Sequence, residues 1–151
     1  MEIEIRDDRI LSVLDASSEI EVVGSGFEFT EGPVWDHNSD SLIFSDMPGN
    51  KMRKWTQSDG VELHRDPSNM ANGNAYDNLG RLVSCEHATS RVTRTEKDGE
   101  IKVLASHFEG KELNSPNDII VSTKGVIYFT DPTFGRMEYY GVLRECELEV
   151  R

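Results

Sequence analysis

Glu31, Asn72 and Asn117 open three similar segments. These are Glu31-Gly32-Pro33-Val34-Trp35-Asp36, Asn72-Gly73-Asn74-Ala75-Tyr76-Asp77 and Asn117-Asp118-Ile119-Ile120-Val121, spaced 41 and then 45 residues apart. One carboxylate and two carboxamides can offer a set of oxygen donors. Such a set suits a hard divalent cation, Ca²⁺ first and Mg²⁺ or Mn²⁺ next. No His/Cys set has the spacing of a soft-ligand site. The same residues also have a purely local reading. An asparagine before a strand often bonds its own backbone in a turn, and Glu31-Gly32-Pro33 reads equally as a strand-entry turn.

A hairpin brings further candidates to the same place. In an antiparallel pair the start of the first strand and the end of the second lie at one edge. Asp46, Glu86 with His87, and Asp131 with Thr133 and Phe134 therefore share a rim with Glu31, Asn72 and Asn117. His87 is placed to donate to a substrate oxygen or to shuttle a proton; the alternative is a solvated loop histidine. His37, His64 and His107 fall in turns or outer strands and read as surface residues.

The elements that must hold these residues are short strands rich in Val, Ile, Phe and Tyr. Leu42-Ile43-Phe44, Leu82-Val83 and Val126-Ile127-Tyr128-Phe129 are cut by polar turns such as Asp77-Asn78-Leu79-Gly80. That pattern predicts consecutive hairpins and an all-β chain. Each of the first two hairpins is followed by another strand pair, around Met52-Arg53-Lys54-Trp55 and Val61-Glu62-Leu63, then around Arg91-Val92-Thr93 and Ile101-Lys102-Val103. Four strands every 40 to 45 residues is the footprint of a β-propeller blade. A β-sandwich is the alternative. In a propeller the first strand of each blade lines the central channel, so equivalent positions far apart in sequence converge there. Trp35, Tyr76 and Trp55 are expected to pack between blades.

At about 45 residues per blade, 151 residues make a little over three blades. The expectation is a partial propeller over residues 1–151, with a strand-entry region over 1–28, in a truncated chain. The missing C-terminal blades, or a self-association partner, would then complete the ring.

Composition narrows the partners. The formal charge is −12, with 28 acidic against 16 basic residues and no basic cluster, which argues against a nucleic-acid partner. No stretch approaches the roughly 20 apolar residues that span a bilayer, and the N-terminus lacks a signal-peptide apolar run. Cys85 and Cys146 form no CxxC pair and no disulfide framework, which favours a reducing, cytoplasmic setting.

Several segments carry a more specific likeness. Phe29-Thr30-Glu31-Gly32-Pro33-Val34-Trp35, Asn114-Ser115-Pro116-Asn117-Asp118-Ile119 and Tyr128-Phe129-Thr130-Asp131-Pro132-Thr133-Phe134-Gly135 resemble the gluconolactonase / senescence marker protein / luciferin-regenerating enzyme family. Ala71-Asn72-Gly73-Asn74-Ala75-Tyr76-Asp77 and Cys85-Glu86-His87 are similar to its bacterial gluconolactonase branch. The likeness runs from about Val22 to Leu143. It implies a six-bladed propeller of about twice this length. It implies one axial divalent cation, usually Ca²⁺, with Zn²⁺, Mn²⁺ or Mg²⁺ in some members. It makes Glu31 a metal ligand and Asn117 a residue that lines the site or binds the metal. A further asparagine and an aspartate would come from later blades. Ser115 stands where animal members carry an arginine that contacts the sugar.

The function this implies is metal-assisted opening of a small-molecule sugar lactone. Asn117 would orient the substrate, with Asp118 fixing it from behind. Asn72, Asn74, His87 and Thr133 would contact the sugar. Two alternatives remain: a non-catalytic propeller scaffold that binds a partner protein, and organophosphate or aryl-ester hydrolysis on the same metal.

Overall fold

The computed structural model describes residues 3–149. The first two and last two residues, at the ends of the expected 1–151 unit, lie outside the described residues. Among the described residues twelve strands and two short 3-10 turns, Asp8–Ser12 and Phe134–Arg136, make up the regular structure. β1 (Thr30–Asp36), β2 (Ser41–Asp46), β3 (Lys51–Thr56) and β4 (Gly60–Arg65) form one four-stranded antiparallel sheet in chain order. β5 (Ala71–Tyr76), β6 (Leu82–Glu86), β7 (Arg91–Thr95) and β8 (Ile101–Ala105) form a second sheet of the same kind. β9 (His107–Phe108) and β10 (Lys111–Glu112) make a small hairpin that the sequence pattern did not announce. β11 (Ile119–Val121) and β12 (Ile127–Phe129) form a third, two-stranded sheet.

These are propeller blades: two complete ones and the inner pair of a third. Each sheet runs in chain order from its first strand, and the first strands β1, β5 and β11 pack side by side. The turns that close the inner hairpins are built alike. Asp36 accepts from the Asn38 N–H at 2.9 Å, Asp77 from the Leu79 and Arg81 N–H groups at 2.9 Å, and the Ser122 hydroxyl from the Val126 N–H at 3.0 Å. A short side-chain acceptor that caps the turn backbone is why Asp and Ser recur there.

The core lies between blades. Ile43, Met52, Ala71 and Leu82, with Val34 and Tyr76 against them, fill the seam between the first two. Val83, Cys85, Val92 and Ile119, with Ile127 and Phe129, fill the next. β6 is buried along its whole length because both of its faces are covered. Leu82 serves the first seam while Val83 and Cys85 serve the second, as the period of two dictates. Tyr76 sits between blades as expected. Trp35 and Trp55 lie on the other face of the first blade, away from the second. Their rings lie 6.3 Å apart within the first blade, and Trp35 is 37% exposed. They share a face of that sheet with Leu42, opposite the face that meets the second blade.

Candidate active site at the blade rim

Adjacent first strands approach so closely that side chains are excluded between them. Gly32, at φ +53°, lies where an added Cβ would sit 2.0 Å from the Asn72 carbonyl oxygen. Gly73 lies where one would sit 2.5 Å from the Asn117 carbonyl oxygen, and its own N–H donates to that oxygen at 2.7 Å. β1 and β5 carry register shifts at the same place, between Glu31 and Val34 and between Ala71 and Asn74. A bulge there bends the strand and re-aims the residues beside it. Asn117 and Asp118 sit just before β11, tied to Thr130 by backbone bonds of 2.9 and 3.0 Å.

These devices bring the three first-strand residues together around His87. The Nε2 of His87 lies 3.3 Å from the Asn72 carboxamide nitrogen and 3.3 Å from that of Asn117. Its Nδ1 lies 2.8 Å from the Tyr140 carbonyl oxygen. The ring is 1% exposed. Burial pushes its basicity below the ordinary value, an effect partly opposed by the Tyr140 carbonyl and by the negative charge of nearby Glu31. A carbonyl facing Nδ1 and two carboxamide nitrogens facing Nε2 suit a ring with its hydrogen on Nδ1 and a free electron pair on Nε2.

Asn72 and Asn117 meet at the ring, and Glu31, which also borders a small cleft with Phe27, Pro33 and Leu42 on the first blade, is near enough to act on His87 through its charge. Neither carboxamide oxygen accepts a hydrogen bond among the described residues. One carboxylate and two open amide oxygens fit a hard cation in kind. Among the described residues no cluster of three His, Cys, Asp or Glu side chains could hold an ion, and of Glu31, Asn72 and Asn117 only Glu31 carries a charge.

The other expected residues are placed differently. The Asn74 carboxamide nitrogen, with two hydrogens to give, lies 2.9 Å from each of the Gly32 carbonyl, the Ser45 hydroxyl and the Asn72 carbonyl, and its oxygen accepts from Ser84 at 2.7 Å. With its donors and acceptor spent on tying two blades together, it does not face a sugar; the substrate role expected of it does not fit this geometry. The same holds for direct sugar contact by His87, whose two ring nitrogens are both engaged. Asp118 is exposed, and its carboxylate accepts from the Ile119 N–H at 2.9 Å rather than gripping Asn117. Its hold on Asn117 is through the backbone ladder to Thr130. Thr133 is half-buried at the start of the second 3-10 turn and makes no capping bond.

Asn117 also borders a cleft of about 1110 Å³ beside the third blade, with Asn114, Thr130, Asp131 and Phe134. Asp131 is held above its ordinary value by burial, against the pull of the Asn114 and Ser115 N–H groups and of Arg136. Ser115 is buried, donating to the Pro132 carbonyl at 2.5 Å and accepting from the Gly135 N–H at 2.8 Å.

Sequence reasoning missed two features. Glu86, 0% exposed, is clasped by Arg65 at 2.6 Å, Arg91 at 2.7 Å, Thr89 at 2.6 Å and Thr93 at 3.0 Å. It is a structural anchor between the first two blades rather than a rim acid. Tyr140 was silent as well: only a fold-back of the segment after β12 brings its carbonyl to His87, 53 residues away.

Comparison with known proteins agrees with this architecture. Residues 29–149 match the model of the SMP-30/Gluconolactonase/LRE-like region. A gluconolactonase of Zymomonas mobilis subsp. mobilis is 34% identical over 160 residues, covering 90% of this chain and 45% of that protein. A solved gluconolactonase from Xanthomonas campestris superposes with TM-score 0.80 at 38% identity, covering 83% of this chain and 42% of that one. An X-ray structure of an inferred gluconolactonase gives TM-score 0.87 at 34% identity over 95% of this chain and 50% of the other. Virginiamycin B lyase of Staphylococcus aureus, at 15% identity and TM-score 0.57, shares the fold alone. The chain spans about half the length of the gluconolactonases it matches. With the family model matched over most of its length and the blade rim built as described, the chain belongs to the SMP-30/Gluconolactonase/LRE-like family.

Proposed function

We propose that this chain forms part of a sugar-lactone hydrolase that works with one divalent cation, Ca²⁺ first. The observation that carries the reading is the meeting of Glu31, Asn72 and Asn117 around His87, with both carboxamide nitrogens turned to the ring. Glu31 and the Asn117 oxygen would hold the ion, with the Asn72 oxygen beside them. When bound, the cation supplies Lewis-acid polarisation of the lactone carbonyl. Asn117, which stands both at His87 and on the cleft, orients the lactone. Thr133, whose side chain makes no capping bond, would meet a sugar hydroxyl. The family kinship supports lactone hydrolysis in general, and the named gluconolactonases support a sugar lactone as substrate.

Three oxygens and one negative charge fall short of the six to eight ligands that Ca²⁺ takes. The 151-residue chain alone is therefore expected to bind the ion weakly and to open glucono-lactone slowly or not at all. Joined to the remaining blades of the Zymomonas relative, it is expected to release acid from glucono-lactone only with added Ca²⁺. Glu31→Gln in that fusion is expected to lower Mn²⁺ affinity at least tenfold, measured by electron paramagnetic resonance, and to abolish acid release at an unchanged melting temperature. Unchanged affinity and unchanged turnover would instead support a scaffold without a metal centre. Robust turnover by the isolated monomer would overturn the weak-binding argument.

A further inference from the structure

We propose that His87 is a positioning residue that sets which way the Asn72 and Asn117 carboxamides face, so that both present oxygen rather than nitrogen to the open side of the rim. The chain of reasoning begins at an atom whose chemistry is unambiguous. The Tyr140 main-chain carbonyl can only accept, and it lies 2.8 Å from Nδ1 of His87. Nδ1 therefore carries the ring hydrogen. In the neutral ring Nε2 is then a lone pair, and a lone pair is met only by donors. The two groups at 3.3 Å from Nε2 must be the amide nitrogens of Asn72 and Asn117. Their oxygens consequently point away from the ring. One carbonyl in the fold-back segment after β12 thus decides the facing of two side chains in the second and third blades.

The burial of His87 makes the device selective. No solvent can replace the missing donor or acceptor at a ring that is 1% exposed. The segment carrying Tyr140 is pressed onto the ring by close packing. Gly135 sits where an added Cβ would meet His87 Cβ at 2.8 Å and Ser115 Cβ at 2.5 Å. The Val142 N–H donates to the Gly135 carbonyl at 2.9 Å and draws the fold-back closed. The Tyr140 ring meets Phe29 edge-on at 6.3 Å, just ahead of the first blade. The fold-back therefore ties the rim ends of all three blades to the orientation of one imidazole.

The proposal uses the lactone-hydrolase reading only for the cation; the ring hydrogen and the amide facing stand without it. Two variants separate its parts. His87→Gln keeps an acceptor near the place of Nε2 and loses the donor to Tyr140. His87→Asn keeps a donor near the place of Nδ1 and loses the acceptor. Two-bond ¹⁵N–¹H spectra of the unsubstituted chain are expected to show the hydrogen on Nδ1. Mn²⁺ titration followed by electron paramagnetic resonance is expected to give His87→Gln within about threefold of the parent and His87→Asn at least tenfold weaker, at similar melting temperatures. A hydrogen on Nε2 would overturn the proposal, as would equal Mn²⁺ affinity in His87→Asn and the parent. If the isolated chain binds Mn²⁺ too weakly to titrate, the cation reading is decided by the fusion described above, and the ring spectra together with the Asn72 and Asn117 amide resonances in His87→Asn decide the positioning role by themselves. Unmoved amide resonances there would sink it.

Discussion

Glu86 illustrates how a buried charge is tolerated between blades. Burial acts to raise its carboxyl, but donors from Thr89, Arg65 and Arg91 outweigh that and hold it below the ordinary 4.5. The unfolded chain therefore takes up this proton before the native state does. Its contribution to stability is complete above pH 4.5 and is lost as the pH falls through the depressed native value. Glu86→Gln leaves Arg65 and Arg91 without their counter-charge in a sparsely solvated seam. The expected loss is about 3 kcal/mol at neutral pH, read from urea unfolding. The same variant should lose less stability than the parent between neutral pH and pH 4, because the titrating group is gone. Equal acid sensitivity in both would show that other carboxylates govern acid unfolding. Residue type alone did not separate Glu86 from Glu31. Both are acids at a predicted rim, and only the position of Arg65, on the neighbouring blade, tells anchor from ligand.

Strand approach is what converts a 41- and 45-residue spacing into a site. Gly32 and Gly73 occupy equivalent places after Glu31 and Asn72, and each lets the next blade's backbone pass where a methyl group would stand. Gly32→Ala must meet a main-chain oxygen at 2.0 Å and adopt a left-handed φ, so something in the backbone has to move. The expected cost is about 3 kcal/mol, seen as a lowered melting temperature, together with weakened Mn²⁺ uptake because Glu31 and Asn72 are pushed apart. Unchanged stability would mean that the blades are more loosely seated than this spacing requires. The hairpins and their turns were legible in the residues, since Asp77 with Gly80 and Ser122 with Gly125 are turn chemistry of short range. The β9–β10 hairpin was not, because strands of two residues are too short to show a period. Asn74 was read as a site residue for the company it keeps with Asn72. Strand alternation does not reveal that a carboxamide will be used up bridging Gly32, Ser45 and Ser84.

The described part of the molecule exposes apolar surface on its outer blades. On the third blade Ile120 is 63% and Tyr128 58% exposed, and Trp35 and Leu63 are exposed on the first. Faces of this kind normally meet a neighbouring sheet. The 151-residue chain is accordingly expected to associate with rising concentration, shortening its elution time in size-exclusion chromatography and binding a hydrophobic dye. Ile120→Lys with Tyr128→Lys should suppress both effects. A concentration-independent monomer that binds no dye would show that these side chains find cover within the chain. Among the described residues no helix is long and apolar enough to cross a membrane.

By itself the sequence determined the repeat, the alternation that makes each strand two-faced, the turns, and the positions of Glu31, Asn72 and Asn117 at equivalent points of three blades. Those follow from interactions within a few residues, so local composition is enough to specify them. Only the tertiary structure decided that His87 faces inward between two carboxamides, that Tyr140 returns to fix its hydrogen, that Glu86 is an anchor and Asn74 a bracket, and that Trp35 stands on the face of the first blade turned away from the second. Each of those depends on which blade packs against which face. That is set by contacts between segments dozens of residues apart, for which periodicity carries no information.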